Sequence, residues 1–168
     1  MNTNLDLESK NGLIVSEPMS IKPEWIDFNG HLNMAYYNVL FDTAFDSVCV
    51  ILGLGPEYAE TRKLTTYTGE IHLCYLRELH LQHKVYGTFQ LIDFDEKRMH
   101  VYQELRHVDG WLAATCEGIS LHVDMRGPKV APYPEDIFSN IQNLAERQSG
   151  LQIPASVGRK IEIRRKNT

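Results

Sequence analysis

Cysteine is scarce in this 168-residue chain: Cys49, Cys74 and Cys116 are odd in number, far apart and set in apolar runs. That pattern suggests neither a disulfide framework nor a zinc knuckle, and it points to reduced core residues. No window approaches the roughly 18 apolar residues of a membrane span. The polar opening MNTNLDLESKNG lacks the positive start and apolar run of a secretory leader, so a cytoplasmic protein is expected. Positive charge is in deficit: 17 Lys and Arg against 22 Asp and Glu leave a net −5. This argues against general nucleic-acid binding, and an anionic ligand would need a local basic patch. There is no internal repeat, no linker that would set off a second domain and no G-x-S-x-G nucleophile motif. With 43% hydrophobic and 23% charged residues, one globular domain is the simplest organisation.

What is present is concentrated in Trp25 to Leu54, WIDFNGHLNMAYYNVLFDTAFDSVCVILGL. A loop dense in polar groups (Asp27, Asn29, His31, Asn33) runs without proline into an apolar helical pattern. Asn29-Gly30 is a turn signal, because Gly accepts positive φ and Asn tolerates it. Asn33 is placed to cap a helix in which Tyr37, Leu40, Phe41, Ala44, Val48 and Ile51 recur at spacings of three and four. Gly53 and Gly55-Pro56 should end it. A carboxylate just ahead of a helix lies beside backbone N–H groups that have no intrahelical acceptor and carry partial positive charge. Such donors can hold an oxyanion.

Before that helix, Pro18 and Pro23 leave room only for a short strand, Leu13 to Ser16 or Met19 to Ile21. After it the chain reads as strand. Thr65 to Leu79 should form a long strand bent or bulged near Gly69, followed by a meander of Lys84 to Phe94, Arg98 to His107 and Trp111 to Asp124. In the last run Leu112, Ala114, Cys116, Gly118, Ser120 and His122 alternate onto one face, mostly small, across which the long helix can lie closely. A short helix is expected from about Glu135 to Gln148, then a basic tail with Arg159, Lys160, Arg164, Arg165 and Lys166. The expected organisation is a flexible N-terminus (1–12), one domain (13–134), and a C-terminal helix and tail (135–168) packed on or extending from it.

A helix wrapped by a long antiparallel sheet is the α+β hotdog fold. The DFNGHLNMAYY segment resembles the Asp-x-x-Gly-His/Ile loop of the 4-hydroxybenzoyl-CoA thioesterase-like hotdog family. YTGEIHLCYLREL, LIDFDEKRMHVYQELRH and DGWLAATCEGISLHVD extend the likeness, which is nearest to the thioesterase unit associated with L-carnitine dehydrogenases. It covers roughly Pro18 to Pro134. The resemblance implies hydrolysis of a small acyl-CoA thioester, with betainyl-CoA as a candidate, by a homodimer or homotetramer with sites at subunit interfaces. It implies no cofactor, since CoA is part of the substrate. Noncatalytic acyl-CoA binding and hotdog dehydratase activity are the rival functions; dehydratases of this fold use a helix histidine, and this helix has none.

Asp27 matches the family's catalytic carboxylate, which either attacks the carbonyl to give an anhydride or activates water; its bland role is to shape the turn. The Met34 backbone N–H is the expected oxyanion donor, ahead of Gly30 or His31 main chain. His31 could orient the carbonyl, hold Asp27, or satisfy the turn, and Asn33 reads more as cap than catalyst. Glu70, matched in the thioesterase-like motif, shares a strand face with His72; the pair could orient water or bond across the sheet. Asn29, Gly30, Asn33, Trp25, Tyr36 and Tyr67 are the expected substrate contacts. Aromatic rings including Phe28, Tyr37 and Trp111 would suit a trimethylammonium group through cation–π attraction, or simply pack. Arg77, Arg98, Arg126, Lys129 or the tail could meet CoA phosphates. His80 and His83 lack the partners of a metal site, so no metal is expected.

Overall fold

The structure, a computed structural model, describes residues 12–163 and 165. The expected flexible start, apart from its last residue, and tail residues Arg164 and Lys166 fall outside them. Two short strands, β1 (Ile14–Val15) and β2 (Met19–Ser20), precede a 3₁₀ turn (Pro23–Trp25) and the long helix α1 (Met34–Leu52). Then follow α2 (Pro56–Arg62), β3 (Leu64–Tyr75), β4 (Lys84–Phe94), β5 (Arg98–His107), β6 (Leu112–Asp124), β7 (Lys129–Val130) and α3 (Glu135–Gln148). The sheet is antiparallel in the order β1-β4-β5-β6-β3, with β2 also on β4 and β7 on β6. This is the expected hotdog arrangement.

Both ends of α1 are set by local chemistry. Asn33 Oδ1 accepts from the Ala35 N–H at 3.0 Å, and Gly53 closes the helix at φ 79°. The buried stripe Tyr37, Leu40, Phe41, Ala44, Val48 and Leu52 lies on the sheet. Contrary to the expectation of no membrane-length window, α1 is long and apolar enough by length and composition to cross a membrane. Here that apolar stripe forms the core instead. Around Val48 and Leu52 it joins Phe89, Leu91, Met99 and the α3 residues Ile137, Ile141 and Leu144. Nearer its N-terminus Tyr37, Leu40 and Phe41 meet Leu79, Val85, Leu105 and Cys116. The closest approach is over β4: a Cβ on Gly87 would lie 2.4 Å from the Ala44 Cβ.

Three details depart from expectation. Gly55-Pro56 starts α2 as well as following α1, because proline at the first helical position loses no needed N–H. A register slip between Leu105 and Arg106 puts Ala113, fully buried, into the core beside Ala114, so strict alternation from Leu112 fails at that end. Finally β3 stops at Tyr75, since the Leu76 and Arg77 N–H groups both donate to the Ala113 carbonyl and turn the chain out of the strand. Its bulge falls between Thr68 and Glu70, at the expected Gly69.

Candidate active site

The loop feeding α1 is a small, tightly bonded hairpin. Ile26 bridges Leu32, the Asp27 N–H donates to the His31 carbonyl at 3.0 Å, and the Gly30 N–H donates to the Asp27 carbonyl at 3.0 Å. Gly30 turns the chain at φ 81°, and the Asn33 N–H donates to the Trp25 carbonyl at 2.9 Å. Half-buried Asp27 uses Oδ1 to accept from the Asn29 N–H at 2.8 Å. The bland turn-shaping role is therefore present, and it fixes the carboxylate's direction. Met34 is the first helical residue, so its N–H has no intrahelical acceptor, while its carbonyl accepts from the Tyr75 hydroxyl at 3.3 Å. Its side chain is exposed.

Trp25 and Tyr36 stack at 5.3 Å beside this loop, with the Lys22 ammonium 5.0 Å from the Trp25 ring. Phe28 stands almost wholly exposed at the turn. Tyr37 is structural: its hydroxyl donates to the Arg77 carbonyl and accepts from the Leu79 N–H. Burial, first, and then the neighbouring Glu78 push its pKa up, with the Leu79 bond opposing.

Other expected residues are separated from Asp27. Thr68 and Ile71 line a cavity with α1, whereas Glu70 lines one on the opposite face of the sheet with Asp93, Arg98 and His100. Alternation carries His72 to that outer face too, where its ring lies 3.5 Å from the Cys74 sulfur. Tyr67, opposite Leu121, is half-exposed there as well. Within one chain the structure thus brings Asp27, Asn29, Gly30, His31, Asn33, Met34, Trp25 and Tyr36 together, and leaves Glu70 and Tyr67 apart. His31 is not bonded to the Asp27 carboxylate; its Nε2 faces Glu78 Oε2 at 3.3 Å. Trp111 lies elsewhere, stacked on His107 at 4.7 Å beneath the Arg77 guanidinium.

One feature had no sequence signal. Between α1 and β3 a cavity of about 100 Å³ is lined by residues including Asn38, Phe41, Asp42, Phe45, Ile71 and Gln103. The buried Gln103 Oε1 has no hydrogen-bond partner among the described residues. Only the fold joins β5 to this helix face.

A single long helix packed on an antiparallel sheet, entered through a polar hairpin that carries Asp27, is the arrangement of a hotdog protein. The chain belongs to the thioesterase-like superfamily, whose family profile matches residues 21–141. A betainyl-CoA thioesterase of Pseudomonas aeruginosa is 34% identical over 144 residues, 85% of this chain and 91% of that protein. An L-carnitine dehydrogenase/betainyl-CoA thioesterase of Rhizobium meliloti is 32% identical over 86% of this chain, which spans 29% of that longer protein. A Staphylococcus aureus protein solved in complex with CoA superposes with a TM-score of 0.84 at 29% identity, over 90% of this chain and 96% of that one.

Proposed function

We propose that the chain is an acyl-CoA thioesterase that hydrolyses a small acyl-CoA thioester, betainyl-CoA foremost, to the free acid and CoA. The observation that carries this is the junction itself: a half-buried carboxylate, oriented by its own turn, in the hairpin that runs straight into a helix start whose N–H is uncommitted within the helix. In this reading the Met34 N–H receives the carbonyl oxygen as it gains negative charge, and Asp27 acts on the carbonyl carbon. Asp27 either bonds to that carbon and is later released by water, or removes a proton from the attacking water. A thiolate is a good leaving group, so neither route needs a strong acid or a cofactor. Single-turnover incorporation of oxygen-18 into the protein separates the two.

Similarity to the betainyl-CoA thioesterase supports the acyl group; with Lys22 already over Trp25, the face of Tyr36 turned away from Trp25 is the ring surface we assign to a quaternary ammonium. For the CoA phosphates we assign Arg77. Arg98 and Arg126 are held by Asp95 and Asp124, whereas Arg77 lies over Trp111. The edge of β3 exposes Tyr67, Ile71 and Tyr75, and pairing of that edge with a second copy would give the expected homodimer. Free thiols suit a cytoplasmic setting.

The test is thiol release from a panel of acyl-CoA esters that includes betainyl-CoA. Asp27→Asn keeps a side-chain oxygen for the Asn29 N–H and should fold, while turnover falls by about 10²–10⁴. An unchanged rate in this variant would remove Asp27 from the chemistry. Absence of release across the panel would favour a binding module.

A further inference from the structure

The connection between β3 and β4 is fixed at one residue. Leu79 is fully buried; its carbonyl accepts from the Leu32 N–H at 2.7 Å, and its own N–H donates to the Tyr37 hydroxyl at 3.1 Å. This ties the connection both to the Asp27 loop and to the first turn of α1. The residues on either side of the anchor, Glu78 and His80, both direct their side chains at the Asp27 loop. His80 Nδ1 lies 3.2 Å from the Gly30 carbonyl, and since a carbonyl can only accept, Nδ1 carries the proton. Glu78 Oε2 lies 3.3 Å from His31 Nε2 and 3.8 Å from His80 Nε2, so the carboxylate sits within reach of His31 and close to His80. The His31 and His80 rings meet edge to face at 5.3 Å.

What these contacts hold is the frame of Asp27. Gly30 is held through both of its backbone groups: its N–H by the Asp27 carbonyl, its carbonyl by His80. The His31 carbonyl in turn accepts from the Asp27 N–H. Fixing Gly30 and His31 therefore fixes the plane from which the Asp27 carboxylate projects. The His80 backbone is braced as well, because its N–H donates to His83 Nδ1 at 3.2 Å. That bond requires His83 Nδ1 unprotonated, in keeping with a His83 pKa lowered first by burial and then by the nearby His107 and His80.

We infer that His80 and Glu78 are positioning residues for Asp27, holding the turn that aims its carboxylate from a connection some fifty residues away in sequence. This rests on the catalytic reading of Asp27. Neither residue is required to touch substrate. Being partly exposed, these contacts add little to global stability; their effect is on the aim of one carboxylate, where a displacement of about 1 Å can cost 10²-fold in rate.

Four proteins test this: wild type, His80→Ala, His80→Asn and Glu78→Gln, with kcat and KM from thiol release and amide hydrogen exchange at Asn29 and Gly30. His80→Ala should lower kcat by about three- to ten-fold with KM within about two-fold, and speed exchange at both amides. His80→Asn supplies a side-chain N–H near the position of Nδ1 and should recover most of both. Glu78→Gln should fall between wild type and His80→Ala. Wild-type kcat and exchange in His80→Ala and Glu78→Gln would overturn the proposal. So would a kcat loss with unchanged exchange and no recovery in His80→Asn. Retained turnover in Asp27→Asn would instead remove the catalytic reading, while the exchange data still decide whether His80 holds the turn.

Discussion

The distance between α1 and the sheet can be altered at a single point, Gly87. A methyl group there would lie 2.4 Å from the Ala44 Cβ, whereas non-bonded carbons settle at about 3.5–4.0 Å. Gly87→Ala must therefore lift α1 or bend β4 by about 1 Å. Overpacking of this kind costs about 1–3 kcal/mol, which in a chain of this length lowers Tm by roughly 2–12 °C. Ala44→Gly costs about 1 kcal/mol in helix propensity and about 0.8 kcal/mol for the lost buried methyl. The double variant moves the methyl across the gap and removes the collision, so it should be more stable than the sum of the single changes by about 1–3 kcal/mol. Urea denaturation of all four proteins measures this coupling. Because α1 carries the Met34 N–H and is tied to the Asp27 loop, Gly87→Ala should also slow thiol release, and the second change should restore part of it. Additive stabilities, within about 0.5 kcal/mol, would show that the helix height is not set by this contact.

Asn33→Ala removes the side-chain acceptor for the Ala35 N–H and should cost about 1 kcal/mol in denaturant unfolding; a loss below about 0.3 kcal/mol would assign the capping elsewhere. His122 is wholly buried, with Nδ1 donating to the Ala131 carbonyl and Nε2 accepting from the Tyr58 hydroxyl, and burial holds its pKa below the ordinary value. The unfolded chain then binds more protons, so stability is full above about pH 6.5 and falls as pH drops from there through the folded pKa. Urea midpoints that stay level from pH 7.5 to 5 would contradict this. Burial, then Asp46, pushes the Cys49 thiol up to about 12, and burial, then Glu117, does the same to Cys116. A thiol reagent at pH 8 should therefore modify half-buried Cys74 well before the other two, with all three reacting in denaturant; equal rates in the folded protein would refute the burial argument.

The helix and its caps were legible because their signals are local. Asn33 is two residues from the N–H it accepts from, and Gly53 adopts the positive φ that only glycine takes readily. The meander was legible for a similar reason: short turns separate segments whose apolar residues alternate. Legibility failed where one residue changes the phase. The slip at Leu105/Arg106 exchanged Leu112 for Ala113 in the core, and no composition rule locates such a slip. At the site, the hairpin from Ile26 to Leu32 could be read from Asn29-Gly30, but Glu78 and His80 could not. They reach the loop only because buried Leu79 pins their connection against Leu32 and Tyr37, a tertiary contact with no pattern in the chain. Glu70 illustrates the reverse. Its motif placed it near the chemistry; within one chain, strand alternation after the bulge turns it to the face of the sheet opposite α1.

Part of that far side, beside the cavity that Glu70 lines, is covered by the chain itself. Beyond α3, Ser156 bonds the Tyr102 hydroxyl at 2.6 Å, the Gly158 N–H donates to the Glu117 carboxylate, and Gln90 Nε2 donates to the Gln152 carbonyl. Glu117 also meets His100 Nε2 at 2.8 Å. Residues 152–158 thus run across the outer faces of β4, β5 and β6 and satisfy groups there that would otherwise face water. α1 thus covers one face of the sheet and this segment part of the other. Among the described residues β3 has no strand on its outer side, and there Ile71 and Tyr75 point to the α1 side. A second copy paired there would lie along the mouth of the α1–β3 cavity, next to the helix start that Tyr75 touches. The proposed dimer contact and the proposed chemistry would then share one strand, and charge placed at Ile71 should weaken both together.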